Sequence, residues 1–406
     1  MNEMRAKIPP HRKTLFFLSS ISLFSFFFVY DSPSPMYPGL VKMFGPGYSS
    51  SHSLLYSAYA LPNLLLPILL NGFFRRSCTK MMVYTYSLMV LGQSVFYLGV
   101  ISWSFEMMVA GRFIIGLGGE SFSVAQNQLI SSLFKNHEYG SVFSCSLAIA
   151  RLGTIASYLL LGSFVSYGVP VCAMLGLVLI LFGGFFCLIA DSILVTGEDA
   201  EKDCEEVSQT NHHLLPHVLG VTILVACAVS PFYSSNSAIL QKRLDVPYPT
   251  ASRLLAVQEG ISLVFTVVIS ALTDRRGHRL SSIGVGTLFL TAGHFLICAS
   301  SNWKYLPSVL IGLSSGFLAC CWPCIPLLIS PRRLSTGLSL LSCGVNLAYT
   351  LCPWAVSNIT DPEFKISEIY TTAVSFSVFL LAVYIIWKNA VHGYGLNGTR
   401  HIIEAV

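Results

Sequence analysis

Charge is scarce in this chain. Only 11% of its 406 residues are Asp, Glu, Lys or Arg, against 53% hydrophobic ones, and the mean hydropathy is +0.66. A soluble globular domain carries about 25% charged residues, so an aqueous surface cannot be covered here. The same shortage excludes disordered, collagen-like and coiled-coil chains. Long polar segments are missing too, residues 197–213 being the only sizeable one. No nucleophile–base–acid set is visible, which argues against an enzyme, and no metal or cofactor is expected. No small-residue cleavage site follows the first apolar run at 14–30, which continues as Asp31-Ser-Pro-Ser-Pro35. That run also exceeds a secretory core in length, so it is expected to be retained as a membrane span. A clear acidic-dileucine sorting signal is lacking as well, which leaves the membrane open.

What is present is apolar sequence in spanning lengths. Twelve spans of about 20 residues need roughly 240 apolar-compatible positions, and the chain supplies them. They are expected at 14–38, 50–73, 80–101, 104–134, 140–166 and 169–194, then at 215–240, 250–273, 281–301, 303–329, 335–358 and 366–390. The implied organisation is a short N-terminus (1–13), a six-helix bundle (14–194), a linker (195–214), a second six-helix bundle (215–390) and a tail (391–406). The fold class is therefore an all-α membrane protein of twelve transmembrane helices. The twelve cysteines lie mostly within apolar stretches, where a small soft hydrophobe is the default reading.

The basic residues are too scattered for a nucleic-acid surface, but they orient the chain. With the N-terminus inside, the inner loops hold Arg5, Lys7, Arg12, Lys13, Arg75, Arg76, Lys80, Lys135, Lys202, Arg275, Arg276, Arg279, Arg332, Arg333, Lys388 and Arg400. The outer loops and their edges hold Lys42, Lys242, Arg243, Arg253, Lys304 and Lys365, a bias of sixteen to six. The positive-inside rule then places both termini and the middle loop in the cytoplasm.

The halves look duplicated. Ile115-Gly116-Leu117 in span 4 returns as Ile311-Gly312-Leu313 in span 10, 196 residues on, close to the half-repeat offset of 201. Duplicated six-helix halves suit a rocking transporter whose site lies between them at mid-membrane.

Two stretches carry chemistry. Span 8 ends in Asp274-Arg275-Arg276-Gly277-His278-Arg279, where an acid at a helix end, a turn glycine and basic residues can clamp neighbouring helix ends. The alternative is an ordinary basic inner loop. Span 4 reads Gly111-Arg112-Phe-Ile-Ile-Gly116-Leu-Gly118-Gly119-Glu120, then Gln126-Asn127. Its glycines let a neighbour approach closely. Glu120 falls deep in the membrane, at a cost of about 2.5–3.5 kcal/mol, and Arg151 in span 5 is its opposite in charge. Either they bind or gate a solute, or they form a structural ion pair. Buried pairs add little net stability, and intramembrane charges are functional by default, so binding or gating is favoured. The repeat sets Gly316 opposite Glu120, which makes polar recognition one-sided.

The span 8 loop is similar to the cytoplasmic signature of the major facilitator superfamily, Gly-x-x-x-Asp-Arg-x-Gly-Arg-Arg. The first-half copy departs from it, with Arg75 and Arg76 where an acid is expected. The run Gly111–Asn127 with Ala150-Arg151-Leu-Gly153 resembles the lysosomal dipeptide-transporter branch of that superfamily. Tyr30-Asp31-x-Pro33, Tyr56-x-x-Tyr59-x-x-Pro62-Asn63, Trp322-Pro323 and Asn346-Leu347 fit it too. The resemblance covers essentially all twelve spans. It implies that Glu120 and Arg151 hold the charged ends of a dipeptide-like substrate, in a lysosomal or other endomembrane, beside an accessory membrane glycoprotein. Arg112, Asp274, Arg275 and Gly277 are then gating residues. Gln126, Asn127, Tyr59, Trp322 and Asn346 are candidate cavity residues, with helix packing as the alternative. Glu120 itself, Asp31 close to the outer end of span 1, and Glu259 in span 8 are candidate proton or gate sites. The alternatives are a solvated acid for Asp31, a helix-packing contact for Glu259, and uniport in place of proton coupling.

Other motifs carry less. Cys321-Trp-Pro-Cys324 has redox spacing, but it sits inside an apolar span and not at an exposed strand-to-helix turn. His212, His213 and His217 read as a solvated loop. Within transport, an organic anion or nucleotide-like solute on Arg151 is the rival substrate. A non-transporting sensor or scaffold is the rival class.

Overall fold

The structure is a computed structural model, and it describes residues 11–45, 47–70, 78–134, 139–195, 214–299, 303–329, 334–359 and 363–392. The linker 195–214 lies almost wholly outside these, as do Arg5, Lys7, Arg75, Arg76, Lys135, Lys202, His212, His213, Arg332, Arg333 and Arg400. The described chain is helical throughout, as lipid demands of a backbone that must satisfy its own polar groups.

In chain order the segments are α1 (Arg12–Phe44), α2 (Leu54–Leu69), α3 (Cys78–Ile101), α4 (Phe105–Leu133), α5 (Ser141–Tyr167), α6 (Val169–Val195), α7 (Leu215–Arg243) and α8 (Tyr248–Arg276). They continue as α9 (Arg279–Cys298), α10 (Leu306–Leu318, resumed at Cys321–Leu328), α11 (Leu334–Ser357) and α12 (Lys365–His392). Among the described residues nine helices are long and apolar enough to cross a membrane, and Leu54–Leu69 and Leu306–Leu318 are shorter apolar ones. The remaining segment, α4, is 29 residues long but carries Arg112, Glu120, amides and glycines through its middle. We call the end of the bundle at Arg12 the near side and the opposite end the far side.

The apolar residues sort by half. One core cluster draws on α1–α6 and touches the second half only at Tyr349. The other clusters belong to α7–α12, with Tyr158 of α5 the single outside member. In the most apolar stretches of α1 and α7, 56% of residues are buried, against 33% in α6 and 28% in α12. Repeat-mates thus share a depth: α1 and α7 are enclosed, while α6 and α12 present faces such as Phe182, Phe185 and Leu188, or Phe376, Leu380 and Trp387, outward.

Gly116 of α4 packs on the Tyr59 carbonyl of α2, and Gly312 of α10 packs on the Gln258 carbonyl of α8. The duplicated Ile-Gly-Leu therefore makes the same close crossing in each half, with no room for a Cβ. Proline supplies a second repeated device. Pro33 has no N–H for the Val29 carbonyl, which instead accepts from Ser32 Oγ at 2.8 Å and from Arg112 Nη1 at 3.2 Å. Pro231 likewise leaves the Cys227 carbonyl, which the Tyr370 hydroxyl of α12 takes at 3.2 Å.

Two expectations change. α1 does not stop near residue 38 but runs to Phe44. Pro33 and Pro35 stand at the start of a new helical stretch, where a missing N–H is tolerated. Asp31 consequently sits about 28 Å along α1 and not close to its far end. α10 is broken at Ala319–Cys320.

Candidate functional site

The polar centre of the bundle lies where the two halves face each other. α4 places Glu120 about 22 Å along its length, beyond the Gly118-Gly119 pair whose missing side chains admit α3 and Tyr59. Glu120 is half-buried. The Tyr59 hydroxyl of α2 donates to its Oε1 at 3.3 Å, and Ser342 Oγ of α11 donates to its Oε2 at 3.1 Å. Asn346, one turn beyond Ser342, is a third neighbour through its side chain, and its amide is steadied on the Ser342 carbonyl at 2.9 Å. Tyr59 is in turn fixed by edge contact with the Tyr30 ring, centroids 4.7 Å apart. Among the described residues Glu120 has hydroxyl and amide donors and no cation.

Arg151 is the second charged centre. Its Nη1 donates to Glu259 Oε2 of α8 at 2.6 Å, an ion pair across the two halves. The expected alternative, a structural pair between Glu120 and Arg151, is therefore not what forms: Arg151 has a carboxylate from the other half. Arg151 Nε is buried without a described partner, so the guanidinium keeps donor capacity. Asp31 of α1 accepts from Thr154 Oγ1 of α5 at 2.6 Å, one helical turn from Arg151. α5 makes a single π-helical turn at Ser157–Leu161, a feature often found at functional sites. It carries Tyr158, whose hydroxyl accepts from Asn236 Nδ2 of α7 at 3.0 Å.

The other candidates disperse. Arg112 is 1% exposed and donates to three backbone carbonyls, Leu55 at 3.1 Å, Val29 at 3.2 Å and Tyr30 at 3.0 Å. The rings of Tyr30, Tyr56 and Tyr59 surround it at 5.4 to 5.6 Å. It ties α1 and α2 to α4 on the far side of Glu120, two turns from it, and does not lie at a helix-end gate. Gln126 donates to Ser146 of α5 at 3.2 Å, a packing contact. Asn127, two turns below Glu120 on the same face, is half-buried, and Trp322 packs on the apolar cluster of the second half. At the near end of α8, Arg275 is exposed, and Gly277 (φ +77°) and His278 (φ +64°) make the turn into α9. The Gly277 conformation is one that L side chains rarely adopt. The side chain of Asp274 lies outside the described set. Cys321 and Cys324 are buried free thiols.

Ser342, Thr154, Asn236 and Tyr158 are polar partners that sequence reasoning did not single out. Their weak signal was a hydroxyl or amide at mid-span on helices of opposite halves.

Comparison with known proteins places these features in context. The profile described as Major Facilitator Superfamily matches residues 19–233 and again 218–402. The human lysosomal dipeptide transporter MFSD1 is 26% identical over 417 residues, covering 95% of this chain and 88% of the relative. The chicken (Gallus gallus) protein of the same name is 27% identical over 330 residues, 76% of this chain and 74% of the relative. Among solved structures, the human organic anion transporter MFSD10 (TETRAN) superposes with a TM-score of 0.74 at 14% identity, covering 93% of this chain and 99% of that one. A bacterial homologue of the iron transporter ferroportin, in an outward-facing state, gives 0.70 at 14% identity, covering 92% and 99%. At that identity the structural likeness speaks to the fold.

Proposed function

From membership of the Major Facilitator Superfamily, to which this chain belongs, we propose that it moves small zwitterionic solutes, dipeptides foremost, by alternating access. The chain is a membrane transporter by family and no enzyme. Its near side is the cytoplasm, given the sixteen-to-six bias of basic residues, and the membrane is lysosomal by likeness to its relatives. The halves 14–194 and 215–390 rock about the site, joined by the cytoplasmic linker 195–214. The Asp274–Arg279 loop steadies one of the two conformations, and an accessory membrane glycoprotein is the partner the resemblance implies.

One observation supports this reading most. Glu120 sits at mid-bundle facing the second half, and its donors among the described residues are neutral. An ammonium group can replace one of those donors and supply the positive charge they lack. A carboxylate at the other end of the same solute meets Arg151 on the neighbouring helix. Each contact is a charge-assisted hydrogen bond, roughly twice as strong as a neutral one. The Tyr59, Tyr30 and Asn346 side chains then line a polar and aromatic wall that tolerates varied side chains.

Binding of free, N-acetylated and C-amidated dipeptides to purified wild type, Glu120→Gln and Arg151→Gln tests it. Truncating one partner of a buried charge contact costs about 2–5 kcal/mol, or roughly thirty- to several-thousand-fold in affinity. Glu120→Gln is expected to lose its preference for a free amine, and Arg151→Gln its preference for a free carboxylate. Equal binding of all three peptides by wild type would end the reading.

A further inference from the structure

The cation that would receive a substrate carboxylate already holds one. Arg151 and Glu259 meet at 2.6 Å, with side chains 17% and 7% exposed, on helices of opposite halves. A Glu carboxylate and a peptide C-terminus are the same functional group. We infer that Glu259 is a built-in surrogate for the substrate carboxylate: substrate displaces it from Arg151 on loading, and it returns to Arg151 on release. The inference rests on the reading of Arg151 as the carboxylate site.

The physical need is clear from the empty carrier. A guanidinium at mid-membrane without a counter-charge is expensive, and more so when closure of the cavity strips away its water. A carrier whose only anion for Arg151 came from substrate would change face loaded but stall empty. It would be confined to exchanging one solute for another. Glu259 removes that restriction, because the emptied site closes around an internal ion pair. Glu120 is treated alike, since Tyr59 and Ser342 occupy its oxygens with donors that an ammonium can replace. The unfilled Nε of Arg151 marks the guanidinium as incompletely used by Glu259, as a stand-in for a better-fitting ligand would leave it. The consequence is net, one-way flux of dipeptide without a counter-solute.

The alternative is a tie that merely fastens α5 to α8. The two differ in what fails when the tie is cut. Proteoliposomes bearing wild type, Glu259→Gln or Glu259→Asp are assayed with labelled alanyl-alanine, once for net uptake into empty vesicles and once for counterflow into vesicles preloaded with the same peptide. Glu259→Gln is expected to lower net uptake at least about ten-fold, the scale of one charge-assisted hydrogen bond, while counterflow stays within about two-fold of wild type. Its affinity for alanyl-alanine relative to alanyl-alanine amide rises about ten-fold, because Arg151 no longer has an internal competitor. Glu259→Asp, which keeps the charge, recovers part of the net flux. Equal loss of both fluxes, or unchanged net uptake, overturns the inference. So does failure of both variants to yield monodisperse protein, which marks a structural tie. Failure of the underlying reading looks different, with wild type itself binding the free peptide and its amide alike.

Discussion

Arg112 illustrates how a charge in a membrane span can be structural. Its guanidinium has no carboxylate among the described residues but fills three carbonyl positions, one vacated by Pro33, inside a box of three tyrosines. The fork geometry of arginine makes this possible, and lysine, a point charge with rotating donors, cannot reproduce it. Arg112→Lys is expected to lose at least one of those bonds, a cost of about 1.5–3 kcal/mol, read as a lowered thermal midpoint of the purified protein. Alanyl-alanine affinity should fall much less than in Glu120→Gln. The family resemblance reads Arg112 as a gate, and its carbonyl partners stay hidden in the sequence because they lie 57 to 83 positions away. Glu120, Tyr59 and Asn346 were each legible as candidates, while their convergence on one carboxylate was not. Ser342 was not legible. Many span serines here return their hydroxyl to their own helix, as Ser19, Ser94 and Ser123 do. Nothing local marks those that reach across, as Ser22 does to the Gly183 carbonyl and Ser342 to Glu120. The pairing of Arg151 with Glu259 was hidden for the same reason, as both partners were visible and their contact was tertiary.

At the scale of elements, nine of the expected spans stand among the described residues as helices long and apolar enough to cross a membrane, while α1 runs past its expected end and α10 is broken. The apolar run ends near residue 38, yet α1 continues to Phe44 through Pro33 and Pro35, with the Val29 carbonyl taken by Ser32 Oγ at 2.8 Å and by Arg112 of α4 at 3.2 Å. The duplicated glycine was legible as a repeat, while its purpose, a helix-to-helix crossing over a carbonyl, needed the partner helix. Gly116 and Gly312 offer a matched test. A Cβ on either meets backbone, at Tyr59 or at Gln258, so each Gly→Ala change is expected to destabilise by about 1–3 kcal/mol through overpacking. They should differ in function. Gly116→Ala displaces the very residue whose hydroxyl reaches Glu120, so it weakens recognition of the free amine. Gly312→Ala acts on the segment that carries Glu259 and therefore shifts net uptake relative to counterflow. Identical effects of both on amine discrimination would separate Tyr59 from the site.

For the whole molecule, a far-side seam of hydrogen bonds joins the halves in addition to the central contacts. Ser34 Oγ donates to Asn236 Oδ1 at 2.7 Å, Asn236 donates to Tyr158, and Ser252 donates to the Tyr158 carbonyl at 3.1 Å. The Tyr248 hydroxyl reaches the Pro35 carbonyl beside them. These bonds join α1 and α5 of one half to α7 and α8 of the other, on the far-side flank of Asp31 and Glu259. A carrier that works by rocking must part them once in every cycle, whereas a protein that only senses its ligand need not. Ser34→Cys combined with Asn236→Cys, joined by a short bis-methanethiosulfonate, should therefore stop both net uptake and counterflow of alanyl-alanine. The single variants treated with the same reagent should keep transporting, which controls for the native cysteines. Reductant should restore the flux. The linked protein should still bind the peptide in detergent, because the link leaves Glu120 and Arg151 untouched. Unimpaired transport with the link demonstrably in place would mean that the far side does not open at this seam, and alternating access about the Glu120–Arg151 centre would have to be abandoned.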